Sequence, residues 1–142
     1  MHAAVFSAFD AICRAQAAGG AVLEVGATPS SDTLLMLPAL AAATERVGIN
    51  LERASGIGGC PILQVHAHDM GCFEAGRFDV VLCNSVLEHD GKFWLSLAEM
   101  RRVAKPGGAA GHRRAGLRGT WGGALAISPL PAGSAADSWS PV

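Results

Sequence analysis

The stretch AVLEVGATPSS, residues 21–31, constrains this chain more than any other. Ala21, Val22, Leu23 and Val25 make a short apolar run, with Gly19-Gly20 before it and Gly26 after it. An apolar run of this length between glycines predicts a buried strand at residues 21–25 entering a turn. Ser30, Ser31 and Asp32 can cap a helix that starts in DTLLML. Strand, glycine turn and helix together form the unit that sets a ligand at the carboxyl end of a parallel strand. Glu24 is the one acid in the run. Burying an unpaired acid costs several kcal/mol, so its side chain is expected at the open end of the strand.

The flanking segments extend the same plan. Val5, Phe6, Phe9, Ile12 and Cys13 recur at helical spacing, predicting an amphipathic helix over residues 3–18. The helix after Asp32 bends near Pro38 and reaches about residue 43. A second strand is expected at residues 46–51, a third at 62–66 after the glycine-rich loop 55–60, and a fourth at 79–83. Phe93, Leu97, Met100 and Ala104 mark a further helix, ended by Lys105-Pro106-Gly107-Gly108. Strands alternating with helices predict an α/β domain with a parallel sheet.

At 142 residues the chain has room for one domain with a core. Its charge is unevenly distributed: five Lys and Arg stand against eleven Asp and Glu through Glu99, and six against one from Met100 onward. The near-neutral net charge of −1 argues against nucleic acid as a partner. No apolar run is long enough to span a bilayer, and no basic leader precedes the first helix. Cys13, Cys60, Cys72 and Cys83 form no C-x-x-C pair, which predicts free thiols and a cytoplasmic protein. Cys83, in an apolar strand, is expected to be a small core residue rather than a nucleophile. His66, His68, Asp69 and Cys72 have the residue types of a metal site, but no second ligand set accompanies them and no metal is expected. Glu88-His89-Asp90 offers a general base in His89, or a helix cap in Asp90.

Several segments, in order, resemble class I S-adenosylmethionine-dependent methyltransferases of the small type 11-like kind. VLEVG is similar to their first motif, VGINLE to the end of their second strand, and HAHDM to the loop that carries an Asp toward adenine. FDVVLCNSVLEH resembles their fourth strand and the turn after it. LAEMRRVAKPGG resembles the segment before the fifth strand. The likeness runs from about residue 20 to 108. It implies a Rossmann-like fold with a mostly parallel sheet, S-adenosylmethionine as cofactor, and methyl transfer to an acceptor. It also implies cofactor-binding roles for Glu24, Gly26, Thr28, Asn50, Leu51, Asp69, Met70 and Asn84. Glu24 and Gly26 would serve the methionine part, Asn50 the ribose, Asp69 and the Met70 amide the adenine, and Asn84 the methyl-donor cleft. His89 would line the substrate entrance.

Two departures from the family pattern stand out. Its E-x-G-x-G-x-G becomes Glu24-x-Gly26-x-Thr28-x-Ser30, and Asn50 stands where an acid is usual. These leave open a rival reading, a catalytically inactive methyltransferase-like remnant or interaction module. A nicotinamide-binding Rossmann domain is the third reading, and G-x-G-x-x-G is missing for it.

Residues 1–108 are therefore expected to form the domain, and residues 109–142 an irregular tail rich in Gly, Pro, Ala and Ser. The segment 111–121 can be back-translated so that a one-base shift yields Val-Ile-Val-Val-Pro-Gly-Phe-Ala-Ala-Arg, the apolar strand and turn that the family has there. A frameshift or truncation after Gly108 would leave the sheet incomplete after the fourth strand. The fourth strand would then be an exposed edge, open to self-association.

Overall fold

The computed structural model describes residues 3–15, 19–106 and the strand Leu125–Ile127. The elements in chain order are helix α1 (Ala3–Ala15), strands β1 (Gly20–Val25), β2 (Ala43–Asn50), β3 (Ile62–Gln64) and β4 (Val80–Cys83), helix α2 (Phe93–Val103) and strand β5 (Leu125–Ile127). The sheet order is β3-β2-β1-β4-β5. The first four strands are parallel, and β5 runs antiparallel to β4. This is an α/β Rossmann-like sheet. From β1 the chain moves outward to β2 and β3, then crosses to the other side of β1 for β4. The strand order therefore reverses between β1 and β4, and such a switch point opens a crevice at the carboxyl ends of the strands.

Side-chain alternation along the strands builds the two faces of the core. Leu23, Val25, Val81 and Cys83 face α2 and pack with Met70, Phe78, Met100 and Val103. Val22, Val80 and Leu82 face the other way, onto Phe9 and Cys13 of α1 and onto Leu34, Leu37 and Leu40. Asp79 locks the start of the central strands. Its backbone N–H donates to Ala21 O at 2.8 Å, its carboxylate accepts the Ala21 N–H at 2.8 Å, and Lys105 Nζ reaches it at 2.9 Å.

The structure departs from the sequence expectations in four places. No α-helix links β1 to β2. The connection is two 3₁₀ turns, Leu34–Met36 and Pro38–Leu40. Leu34, Leu37 and Leu40 recur every three residues and stack in one cluster, while Leu35 enters another with Ala27, Cys60 and Ile62. A three-residue period matches the 3₁₀ turn and not the α-helix. Second, β2 starts three residues before the expected position, at Ala43. Third, β3 stops at Gln64, so His66 and His68 lie in the loop beyond it. Fourth, the outer edge of β4 is not bare: Val81, Leu82 and Cys83 pair with Ile127, Ala126 and Leu125. The self-association expected of an open β4 edge loses its premise over those three residues. Residues 16–18 of the expected first helix, and the rest of the tail 109–142, lie outside the described residues. Among the described residues no helix is long and apolar enough to cross a membrane.

Candidate functional site

A cleft of about 310 Å³ opens at the carboxyl ends of the strands. Four segments line it: Val25 and Gly26 from β1, Ile49 to Leu51 from β2, the loop 65–68 after β3, and the loop 85–91 after β4. It therefore occupies the switch point that the strand order creates.

The turn at Gly26 shapes its floor. Gly26 has φ +86, a conformation that suits glycine. A Cβ there would stand 2.3 Å from Val86 Cγ2, so the glycine also lets the loop after β4 rest on the turn. The N–H groups of Gly26 and Ala27 both donate to Ile49 O, at 2.8 and 3.0 Å, which fastens the turn to β2. Across the cleft Ser85 holds φ +56 without being glycine. A non-glycine residue in this region carries strain, a feature that gathers at functional sites.

Three of the implied cofactor residues, Gly26, Asn50 and Leu51, line the cleft, and so does the candidate base His89. Glu24, Thr28, Asp69, Met70 and Asn84 are not among the lining residues. The reasons are specific. Strand alternation sets Glu24 on the face of Val22, so it is buried beneath the 3₁₀ turn rather than exposed at the strand's open end. There one carboxylate oxygen accepts the Thr33 hydroxyl and, at 3.0 Å, the Leu35 N–H. Burial pushes its carboxyl above the ordinary range, opposed by those hydrogen bonds. Thr28 is exposed and lies 3.0 Å from the Ser30 hydroxyl. The Met70 amide, expected to face adenine, donates instead to Glu99 at 2.7 Å. Arg102 closes that clamp, donating to Met70 O and Phe73 O at 2.9 Å each and to Glu99 at 2.6 Å. Asp69 is exposed, and Asn84 is half-buried.

Asn50 has a structural task at the cleft wall. Its amide nitrogen donates to Ala27 O at 2.7 Å, and its oxygen accepts the Glu52 N–H at 3.2 Å. A carboxylate accepts only, so the first of these bonds requires the amide.

The loop after β4 contributes Ser85, His89 and Asp90 to the polar wall. Asp90 Oδ1 accepts the Lys92 N–H at 2.8 Å, and Oδ2 accepts the Ser96 hydroxyl. Asp90 thus ties the loop to the start of α2. The Ser96 hydrogen bond is the main reason its carboxyl stays below the usual range. His68 Nδ1 stands 4.0 Å from Asp90 Oδ1, and the His66 and His68 rings lie 5.1 Å apart. Val65, His66, His68, Ser85, Val86 and Gly91 line the cleft without having been assigned to it from sequence, while Asp90 belongs to the turn expected at the substrate entrance. The HAH and EHDG segments carried the signal, because each sets polar residues in the loop that follows a strand, 66–68 after β3 and 88–91 after β4. Among the described residues no group of three or more His, Cys, Asp or Glu is placed to hold a metal ion. Cys83 is fully buried, and burial pushes its thiol up to about 12, which removes it as a nucleophile.

Comparison with known proteins agrees with this architecture. The crystal structure of the trans-methyltransferase CalH in complex with SAH superposes with a TM-score of 0.54 at 19% identity, covering 72% of this chain and 33% of that one. The chain thus spans a third of that protein's length, and at this identity the likeness is one of fold. No protein of curated function matches. The family described as methyltransferase domain matches over residues 23–110, from the middle of β1 to just past α2, and takes in every segment that lines the cleft. That is more than half of the chain, and the chain belongs to this family, the class I S-adenosylmethionine-dependent methyltransferases that its motifs resemble.

Proposed function

We propose that the cleft binds S-adenosylmethionine and that the protein passes its methyl group to an acceptor. The observation that carries this is the position of the cleft. It lies at the strand-order reversal, between the Gly26 turn and the loop 85–91, within the matched family segment. The residues present fit such a ligand. Ile49, Leu51 and Val65 offer apolar wall for a flat ring, and Asn50 and Ser85 offer polar groups beside it. Asp90 supplies the wall's carboxylate for a cationic ligand, and among the described lining residues there is no Lys or Arg to oppose one.

Once bound, S-adenosylmethionine supplies an electrophilic methyl group on a sulfonium sulfur. The chain's task is then to hold donor and acceptor in line and to keep water out. Gly26, whose missing Cβ leaves room for Val86, lets the loop 85–91 close onto the turn that borders the donor. Asp90, fixed by Lys92 N–H and Ser96, presents negative charge without having to reorganise. His89, exposed at the cleft wall, is the candidate to accept a proton from an acceptor that carries one.

Calorimetric titration of S-adenosylhomocysteine into the purified chain, with NAD as control, tests the proposal. Micromolar binding of the former alone is the expected result. A folded chain that binds neither would refute it and favour the inactive remnant or interaction module. The internal engagement of Asn50 and of the Met70 amide supports that second reading.

A further inference from the structure

We infer that Glu99 and Arg102 of α2 are positioning residues for the methyl donor: they hold the loop after β3 in the shape that binds it. The inference rests on the donor reading above. Neither residue is part of the cleft lining. The loop lines the cleft through residues 65–68 and then reaches Met70, which is fully buried. Both backbone groups of Met70 are engaged by α2. Its N–H donates to Glu99 Oε2 at 2.7 Å, and its carbonyl accepts from Arg102 Nη2 at 2.9 Å. Arg102 Nη1 donates to Phe73 O at 2.9 Å, and Nε and Nη2 donate to Glu99 at 2.6 and 2.9 Å. The Met70 amide, engaged in this way, serves the ligand by holding a wall and not by touching it.

A second polar wall hangs from the same helix. Asp90, in the loop 85–91, accepts the Ser96 hydroxyl and the Lys92 N–H. Ser96 and Glu99 stand about 4.5 Å apart along the helix axis, given their spacing in sequence. One turn of α2 therefore carries the ties of both walls. The walls meet where His68 Nδ1 stands 4.0 Å from Asp90 Oδ1. The planar guanidinium of Arg102 reaches Glu99, Met70 O and Phe73 O together, whereas an ammonium is a point donor on a flexible stem. Arg102→Lys therefore loosens the loop from α2 and leaves the Asp90 tie in place. The ligand must then order the loop as it binds, and ordering one residue of backbone lowers affinity by about tenfold.

The test is calorimetric titration of S-adenosylhomocysteine into the wild type, Arg102→Lys and Glu99→Gln, with hydrogen exchange of residues 65–73 in the ligand-free chains. Glu99→Gln keeps an acceptor for the Met70 N–H and removes the charge that holds Arg102, so it carries the test should Arg102→Lys fail to fold. Arg101→Lys, an exposed neighbour on the same helix, is the control. Affinity is expected to fall by about tenfold in Arg102→Lys and by about threefold in Glu99→Gln, with faster exchange at residues 65–73 in both. The control is expected to match the wild type in both measurements. A clamp that serves stability alone would lower the urea midpoint and leave the affinity of the folded chain within about twofold, and that result overturns the inference. So does a loss of affinity without faster exchange at residues 65–73, or an equal loss in the control. Absence of binding by the wild type instead removes the donor reading itself, and this inference with it.

Discussion

Glu24 separates a ligand-facing acid from a structural one, and its replacement distinguishes them by sign as well as size. The carboxylate accepts the Thr33 hydroxyl and the Leu35 N–H on the same oxygen, beneath a turn in which Leu34, Leu35, Leu37 and Leu40 are all buried. Glu24→Ala leaves both donors without an acceptor. Each unsatisfied buried donor costs about 1–3 kcal/mol, so the loss is about 2–6 kcal/mol. That is a large part of the 5–15 kcal/mol that holds an ordinary domain together. Glu24→Gln keeps a carbonyl oxygen that can accept both bonds and removes the charge. The native carboxyl is raised above its ordinary 4.5 by burial, so the folded chain holds this proton more tightly than the unfolded one. Its stabilising contribution is therefore complete below about pH 4.5 and is lost as pH rises through the raised value. The Gln variant lacks that loss, and its stability relative to wild type should grow from acid toward neutral pH. Urea denaturation of the three proteins across this range measures both effects, and S-adenosylhomocysteine titration at neutral pH measures the ligand side. The structural account is refuted if Glu24→Ala stays within about 0.5 kcal/mol of wild type, as a surface substitution would. It is equally refuted if Glu24→Gln keeps full stability yet loses affinity, since the carboxylate would then act on the ligand.

Two further substitutions probe the turns that build the cleft. Gly26→Ala imposes a side chain at φ +86 and a Cβ 2.3 Å from Val86 Cγ2. The expected cost is about 2–4 kcal/mol, from left-handed strain and overpacking together. Adding Val86→Ala should recover the packing share and leave the strain, measured as a double-mutant cycle in urea; full recovery would show that φ was not the constraint. Asn50→Asp removes the donor to Ala27 O and sets a carboxylate against that carbonyl. It should lower stability by about 1–2 kcal/mol, and an unchanged denaturation midpoint would show that the bond does not hold the turn.

The sheet was legible because its signals are local. Val22, Leu23, Val25, Val80, Val81 and Leu82 sit in short apolar runs bounded by turns, and such runs identify strands whatever surrounds them. The β1 to β2 connection was not legible, because DTLLMLPAL carries two periods at once. Its leucines read as helical until Leu35 and the set Leu34, Leu37 and Leu40 separate into different clusters, and only the packed neighbours decide that. Site residues divide in the same way. Gly26, Asn50 and Leu51 follow directly on strand ends, so their place in the cleft follows from the strands. Glu24 and Met70 needed knowledge of distant partners. Thr33 and Leu35 lie nine and eleven residues from Glu24, and Glu99 lies 29 residues from Met70. A motif position states which residue type recurs at a place in the chain. Whether its polar atoms reach a ligand depends on what else in the fold takes them first. Asn50 shows this within one side chain: it stands in the cleft wall where the family pattern has an acid, and its amide nitrogen is engaged by Ala27 O, a contact that an acid cannot make.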